Sequence, residues 1–261
     1  MHAASHVLIV TGASRGIGYS VANHLLSRRA GHRLVLVART EAPLLDLQAR
    51  YPERVAFLVG DMTDRNMGTQ AVEMALDKFH SVDSLILNHA TLGPVKPVSD
   101  GSVSEWKTAF DTNFFSGLQI IQAALPALRK RRGRIVWVSS STSTKPYGSL
   151  GAYGATKAAV NNLVMMLGEE EEEVVTVAVR PGEVDTELQR QMREVHAHGG
   201  AMRVQDAMRF IDLAETGRLL APDVPGRVIA EMGLSASREL SGTFVDWDAG
   251  FRAAWDCKTE E

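Results

Sequence analysis

An apolar run, Val7–Thr11, leads without interruption into Gly12-Ala13-Ser14-Arg15-Gly16-Ile17-Gly18, and an amphipathic helical pattern begins inside that loop at Gly16. Few other features constrain a chain so tightly. Glycine lets the backbone turn sharply and approach a phosphate closely. The first amides of the following helix have no partner of their own and face an anion. A G-x-x-x-G-x-G loop set between a strand and a helix therefore predicts an α/β unit that cradles a dinucleotide.

The rest of the chain repeats the alternation. Short β-branched runs fall at Arg33–Val37, Val55–Val59, Ser84–Asn88, Arg134–Ser139, Val174–Val179 and Gly242–Trp247. Leu34-Val35-Leu36-Val37 is apolar on both faces, as in strands covered on both sides. Helical patterns occupy Gly16–Arg29, Glu41–Arg50, Asp64–Phe79, Ser104–Arg129 and Tyr153–Glu169. Strand–helix–strand repetition predicts one Rossmann-type, doubly wound α/β domain over residues 1–261 with a seven-stranded parallel sheet. Residues 186–234, with Gly199-Gly200 and Pro222, break the alternation after a late strand. Ligands bind at the carboxyl edge of such sheets, so this helical insert is a candidate substrate lid. Pro146, Tyr147, Val184, Leu188 and Met192 are candidates for its apolar lining.

Composition narrows the function. Lys+Arg number 28 against 31 Asp+Glu, a net charge of −3, without the basic surplus of a nucleic-acid partner. The single cysteine, Cys257, can form neither an internal disulfide nor a cysteine metal cluster. No metal is expected. No apolar stretch approaches the roughly 20 residues that span a bilayer. These features predict a cytoplasmic protein with no membrane partner. Two charge runs read as structure: Arg129–Arg132 as a basic helix end before Gly133, and Glu169–Glu173 as a solvated surface.

The second strand ends in Ala38-Arg39-Thr40, with arginine where an acid would accept from a ribose 2′-hydroxyl. Arg39, with Arg15 in the glycine loop, suits a 2′-phosphate and predicts NADP(H). Glu41 stands close by and weakens that preference. Asp61, before Met62, can accept from an adenine amino group. Asn88 can support either the cofactor or the sheet. Tyr153 and Lys157 lie at i and i+4 and share a helix face. An ammonium beside a phenol favours the phenolate, which would make Tyr153 a workable acid or base. Ser140 ends a strand at the same sheet edge and can hydrogen-bond a carbonyl oxygen. Asn113, a mediocre helix former inside a long helical pattern, suggests a kink or a bound water.

Together these residues resemble the short-chain dehydrogenase/reductase family, and more closely its fungal benzil reductase branch, related to sepiapterin reductases. The glycine loop at 12–18, Asp61, Asn88, Asn113, Ser140, Tyr153, Lys157 and Pro181-Gly182 carry the general likeness. Ala38–Leu44, Val59–Thr63, Asn113–Ser116, Gly151–Gly154 and Val184–Gln189 carry the closer one. The resemblance implies an NADPH-dependent reductase of ketones or α-diketones. It implies that Tyr153 protonates the substrate oxygen, Ser140 orients it, Lys157 holds the nicotinamide ribose and lowers the tyrosine pKa, and Asn113 holds a relay water. It implies that the cofactor meets Gly12, Ser14, Arg15, Gly16, Ile17, Gly18, Arg39, Thr40, Asp61, Met62, Asn88, His89, Ala90, Pro181, Gly182, Val184 and Thr186, besides Tyr153 and Lys157. A homodimer or homotetramer through the two long helices is implied as well.

Two positions depart from the family pattern. Asn88-His89-Ala90 replaces Asn-Ala-Gly, with His89 read as a space-filling change. Glu183 stands where an apolar residue is usual. Other readings of the same sheet are a nucleotide-sensing regulator that binds NADP(H) without turnover, and an S-adenosylmethionine methyltransferase. The intact Asn113, Ser140, Tyr153 and Lys157 set argues against the regulator, and a serine–tyrosine–lysine set has no purpose in a methyltransferase.

Overall fold

The computed structural model describes residues 5–196, 202 and 204–249; Cys257 and Gly199-Gly200 lie outside them. Seven strands form one parallel sheet: β1 (Val7–Thr11), β2 (Arg33–Ala38), β3 (Val55–Val59), β4 (Ser84–Leu87), β5 (Arg134–Val138), β6 (Val175–Arg180) and β7 (Thr243–Asp246), in the order β3-β2-β1-β4-β5-β6-β7. The order reverses between β1 and β4. A crevice therefore opens there at the carboxyl ends, where open α/β sheets bind ligands.

Helices α1 (Gly16–Ser27), α2 (Ala42–Arg50), α3 (Met67–Phe79), α4 (Val103–Phe110), α5 (Ser116–Arg131), α6 (Gly151–Glu170), α7 (Glu187–Gln191), α8 (Val204–Glu215) and α9 (Asp223–Ser235) follow in chain order. The alternating side chains of the strands feed two cores. Ile9, Val35, Leu85 and Ile135 meet α3, α5 and α6 on one face; Leu8, Leu34, Leu36 and Val136 meet α1, α2 and α9 on the other. Each of these leucines is fully buried, a contribution of about 1.5–3 kcal/mol apiece. Among the described residues no helix is long and apolar enough to cross a membrane.

Three expectations need correction. The helix read over Ser104–Arg129 is interrupted by a π-turn at Asp111–Phe115. The irregularity sits where Asn113 is recruited by backbone outside the helix, as shown below. The proposed lid over 186–234 is too long. Helix α9 packs on α1 and buries Ile229, Ala230 and Met232 in the core, which leaves α7 and α8 near the sheet edge. The two charge runs also face each other. Arg129 forks onto the buried carboxylate of Glu171 at 2.8 and 2.6 Å, and Arg132 bonds Glu173 at 2.7 Å. Parallel pairing of β5 with β6 brings the ends of α5 and α6 together. One member of the acidic run, Glu171, is therefore a buried counter-ion, whereas the Arg132–Glu173 pair is exposed.

Candidate active site

Helix α1 starts at Gly16, and its N-cap, Arg15, makes no side-chain cap, so the first amides are left for an anion. The loop admits only glycine at two points. Gly12 has φ +65°, and a Cβ there would lie 2.9 Å from Asn88 Nδ2. A Cβ on Gly18 would sit 2.3 Å from Gly12 O. Asn88 Nδ2 donates to Gly12 O at 3.2 Å and fixes the turn from β4. Asn88 thus supports the loop rather than the far side of the crevice.

From this loop a cavity of about 700 Å³ runs along the carboxyl edge of the sheet. At one end it is walled by Ser14, Arg15, Ile17, Arg39, Thr40, Asp61 and Met62. Arg39 Nη1 lies 3.8 Å from Asp61 Oδ2 and is largely exposed. Asp61 Oδ1 already accepts from Thr63 N at 2.9 Å and Thr63 Oγ1 at 2.8 Å. The Thr63 amide bond, helped by its hydroxyl and by Arg39, lowers the Asp61 pKa against a smaller desolvation effect. Gly16 packs under Thr186, which bridges the loop to the segment after β6. There Pro181, Gly182 and Val184 form the wall, with Gly182 at φ +82° beneath the Trp247 indole.

At the other end β5 and α6 deliver the reactive groups. Ser140 follows β5, and its Oγ accepts from Thr142 N at 3.2 Å. Its segment is tied to α6 one turn beyond Lys157. Ser139 Oγ donates to Asn161 Oδ1 at 2.7 Å, Asn161 Nδ2 donates to Ser143 Oγ at 2.9 Å, and Ser143 Oγ donates to Ser140 O at 2.6 Å. Tyr153 and Lys157 are both buried. Lys157 Nζ donates to Val138 O at 2.8 Å and lies 5.6 Å from the Tyr153 ring centroid. Burial pushes the Tyr153 phenol up to about 12, opposed by a hydrogen bond with Ser140. Burial pulls the Lys157 ammonium down to about 8. Desolvation of the phenolate is thus the largest influence on the phenol in this arrangement. At neutral pH this arrangement holds a proton on the phenol and a charge on the lysine.

Gly18 and Asn113 stand behind the cavity wall. Gly18 lies under Gly12, and Asn113 is fully buried. Asn113 Oδ1 accepts from Thr91 N at 2.8 Å, and its Nδ2 donates to Thr91 O at 2.8 Å and Thr156 Oγ1 at 3.1 Å. Thr156 Oγ1 in turn donates to Tyr153 O at 2.7 Å. His89 was read as space-filling, yet its ring nitrogens lie 2.7 Å from Thr11 Oγ1 and 2.8 Å from Ser116 Oγ. Both are engaged within the protein, so the ring offers a cofactor no hydrogen bond.

Tyr147, Leu150, Leu188, Met192 and Phe210 line the outer chamber, whereas Pro146 does not. Arg209 on α8 lies 5.4 Å over the Tyr147 ring and 3.3 Å from Glu183 Oε1. It spans two walls of the chamber. Thr91, Thr156, Asn161, Arg209 and Phe210 escaped the sequence reading. Only Asn161, four residues past Lys157 on the same face, carried a signal that could have found it.

A pyridine dinucleotide fits this cradle on two counts. The glycine positions exclude the side chains that would fill it. Lys157, fully buried, uses one of three N–H donors on Val138 O, and buried donors need acceptors.

A profile described as short chain dehydrogenase matches residues 6–197. An uncharacterised oxidoreductase of Saccharomyces cerevisiae is 40% identical over 93% of this chain and 95% of its own length. A benzil reductase ((S)-benzoin forming) of the same yeast is 36% identical over 93% and 95%. A solved structure of a short chain dehydrogenase/reductase from Saccharomyces cerevisiae superposes with a TM-score of 0.92 at 37% identity, covering 96% of this chain and 99% of that one.

Proposed function

The chain belongs to the short-chain dehydrogenase/reductase family, and from that premise we propose that it is an NADP(H)-dependent carbonyl reductase of ketones or 1,2-diketones. The family consists of NAD(P)(H) oxidoreductases. The observation that carries the finer reading is one cavity with a phosphate cradle at one end and a protonated phenol beside a buried ammonium at the other.

In this reading Gly12–Ile17 and the head of α1 hold the pyrophosphate. Arg15 and Arg39 face the adenosine ribose, where their charge suits a 2′-phosphate. The two remaining N–H groups of Lys157 hold the nicotinamide ribose. Pro181, Gly182 and Val184 back the ring. Bound there, the reduced nicotinamide supplies a hydride. Ser140 Oγ orients the carbonyl oxygen. Tyr153, its pKa raised by burial, keeps its proton until charge develops on that oxygen and then releases it. Asn113 keeps Tyr153 in place through Thr156. Tyr147, Leu188, Met192 and Phe210 offer an apolar chamber suited to aromatic substituents. Likeness to a benzil reductase supports the same substrate class. Copies of the chain are expected to pair through the outer faces of α5 and α6, where Met165 and Met166 are exposed.

The test is NADPH oxidation against a panel of carbonyls that begins with benzil, run with the wild type and Tyr153→Phe. The expected result is turnover that is lost in the variant while NADPH binding is kept, with NADPH preferred over NADH at equal low concentration. Full turnover in the variant, or equal use of NADH, would defeat the proposal.

A further inference from the structure

His89 interrupts the family's Asn-Ala-Gly pattern, and no step above uses its imidazole. Its hydrogen bonds fix where its proton is. The Ser116 hydroxyl donates to Thr112 O at 2.7 Å, so it has only a lone pair to offer His89 Nε2 at 2.8 Å. Nε2 must therefore carry the hydrogen. The Thr11 hydroxyl accepts from Asn88 N at 3.1 Å and His89 N at 3.5 Å. Its own proton has Nδ1 at 2.7 Å, against Ile86 O at 3.5 Å. Nδ1 is the acceptor. A second ring proton would press an N–H onto an oxygen that already accepts two, in a half-buried setting. Burial, and then the charge of Lys157, hold the ring pKa down at about 4 against a hydrogen bond to the Thr112 backbone and the charge of Asp61.

The elements that the ring joins give it a purpose. Thr11 ends β1, immediately before Gly12. Ser116 opens α5, immediately after the π-turn that carries Asn113. Asn113 is bonded to Thr91 and Thr156, and Thr156 to the Tyr153 carbonyl. One hydrogen-bonded path thus runs from the glycine loop through His89, the π-turn and Asn113 to the backbone of Tyr153. A π-turn is rare, and where found it is frequently at a functional site. An alanine at position 89 would leave the Thr11 and Ser116 hydroxyls without the ring that joins them.

We propose that His89, neutral and carrying its hydrogen on Nε2, is a positioning residue that clamps the Asn113 π-turn to the end of β1 and so sets Tyr153 relative to the glycine loop. This rests on the reading of Tyr153 as proton donor.

The test uses the full chain with benzil and NADPH. His89→Leu fills the space without hydrogen bonds, and Ser116→Ala removes the far anchor. Each is expected to lower kcat about tenfold, in keeping with the cost of small misplacements, while the Kd for NADPH stays within about twofold. His89→Gln, which can still donate to Ser116, should recover part of the rate. Combined with Asn113→Ala, His89→Leu should add no further loss, because the clamp acts through Asn113; a mere packing role would multiply the losses. ¹⁵N shifts of the ring in the wild type should report hydrogen on Nε2 at pH 6, a readout that survives even if a variant fails to fold. Hydrogen on Nδ1, a charged ring at pH 6, or full kcat in both His89→Leu and Ser116→Ala would overturn the clamp. If Tyr153→Phe is inactive beside those results, the clamp alone has failed; if Tyr153→Phe retains full kcat, the underlying reading has failed instead.

Discussion

Replacing Lys157 with methionine should make the cofactor-free protein more stable while abolishing turnover. The side chain is fully buried, has no carboxylate among its hydrogen-bond partners, and makes one bond, to Val138 O. Burial lowers its pKa from 10.5 to about 8, which corresponds to about 3 kcal/mol of destabilisation of the charged form. The sign follows from linkage. Below pH 8 the lysine is charged in both folded and unfolded chains and the penalty is full. Between pH 8 and 10.5 the folded chain releases its proton first, so stability rises, and above 10.5 the penalty is gone. Methionine has nearly the same length and removes the charge. It leaves the Val138 carbonyl short of a donor, at a cost of about 1 kcal/mol. The net gain of about 2 kcal/mol corresponds to a rise of about 4–8 °C in Tm for a domain of this size. Thermal melts of both proteins without cofactor, at pH 7 and pH 10, measure it. The gap should be wide at pH 7 and nearly closed at pH 10. NADPH should raise the Tm of the wild type far more than that of the variant. A Lys157→Met protein that melts below the wild type at pH 7 would refute the reasoning that this ammonium is held in place at the expense of stability.

Three further outcomes follow from the geometry. Gly18→Ala places a Cβ 2.3 Å from Gly12 O, so the loop must shift; NADPH affinity by fluorescence titration should fall at least about tenfold while the far-UV spectrum is unchanged. Arg209→Ala removes a cation–π contact and an exposed ion pair, each about 0.5–1 kcal/mol; the KM for an aromatic diketone should rise about fivefold with kcat and the KM for NADPH nearly constant. His32 is buried, and desolvation lowers its pKa from 6.5 to about 4, so its contribution is complete above pH 6.5 and lost as pH falls toward 4. That loss amounts to at most about 3 kcal/mol, and His32→Gln should flatten the acid limb of denaturant-derived stability by a comparable amount.

The parts of this molecule that follow from local chemistry were legible in the sequence. Leu34–Val37 reads as a strand covered on both sides, and Gly12–Gly18 between strand and helix reads as a tight turn. Tyr153 and Lys157 share a face because helical geometry puts residues four apart together. What was not legible depends on contacts far apart in the chain. The π-turn at Asn113 sits where Thr91 and Thr156, from other elements, take up its amide. Helix α9 was read as lid because its sequence does not say which face of the sheet it covers; packing on α1 decides that. Glu171 reads as surface until strand pairing brings Arg129 to it. Spacing reveals a charge four residues from the phenol but not the depth at which the phenol is buried.

In the function proposed above, a hydride passes from NADPH to a carbonyl carbon while Tyr153 protonates the oxygen. Benzil incubated in ordinary water with NADPH deuterated at both C4 positions, followed by mass analysis of the product, is the decisive measurement. The wild type should leave one deuterium on the carbinol carbon, and Tyr153→Phe should give no product. Product free of deuterium, or labelled product formed at the same rate by the variant, would contradict it.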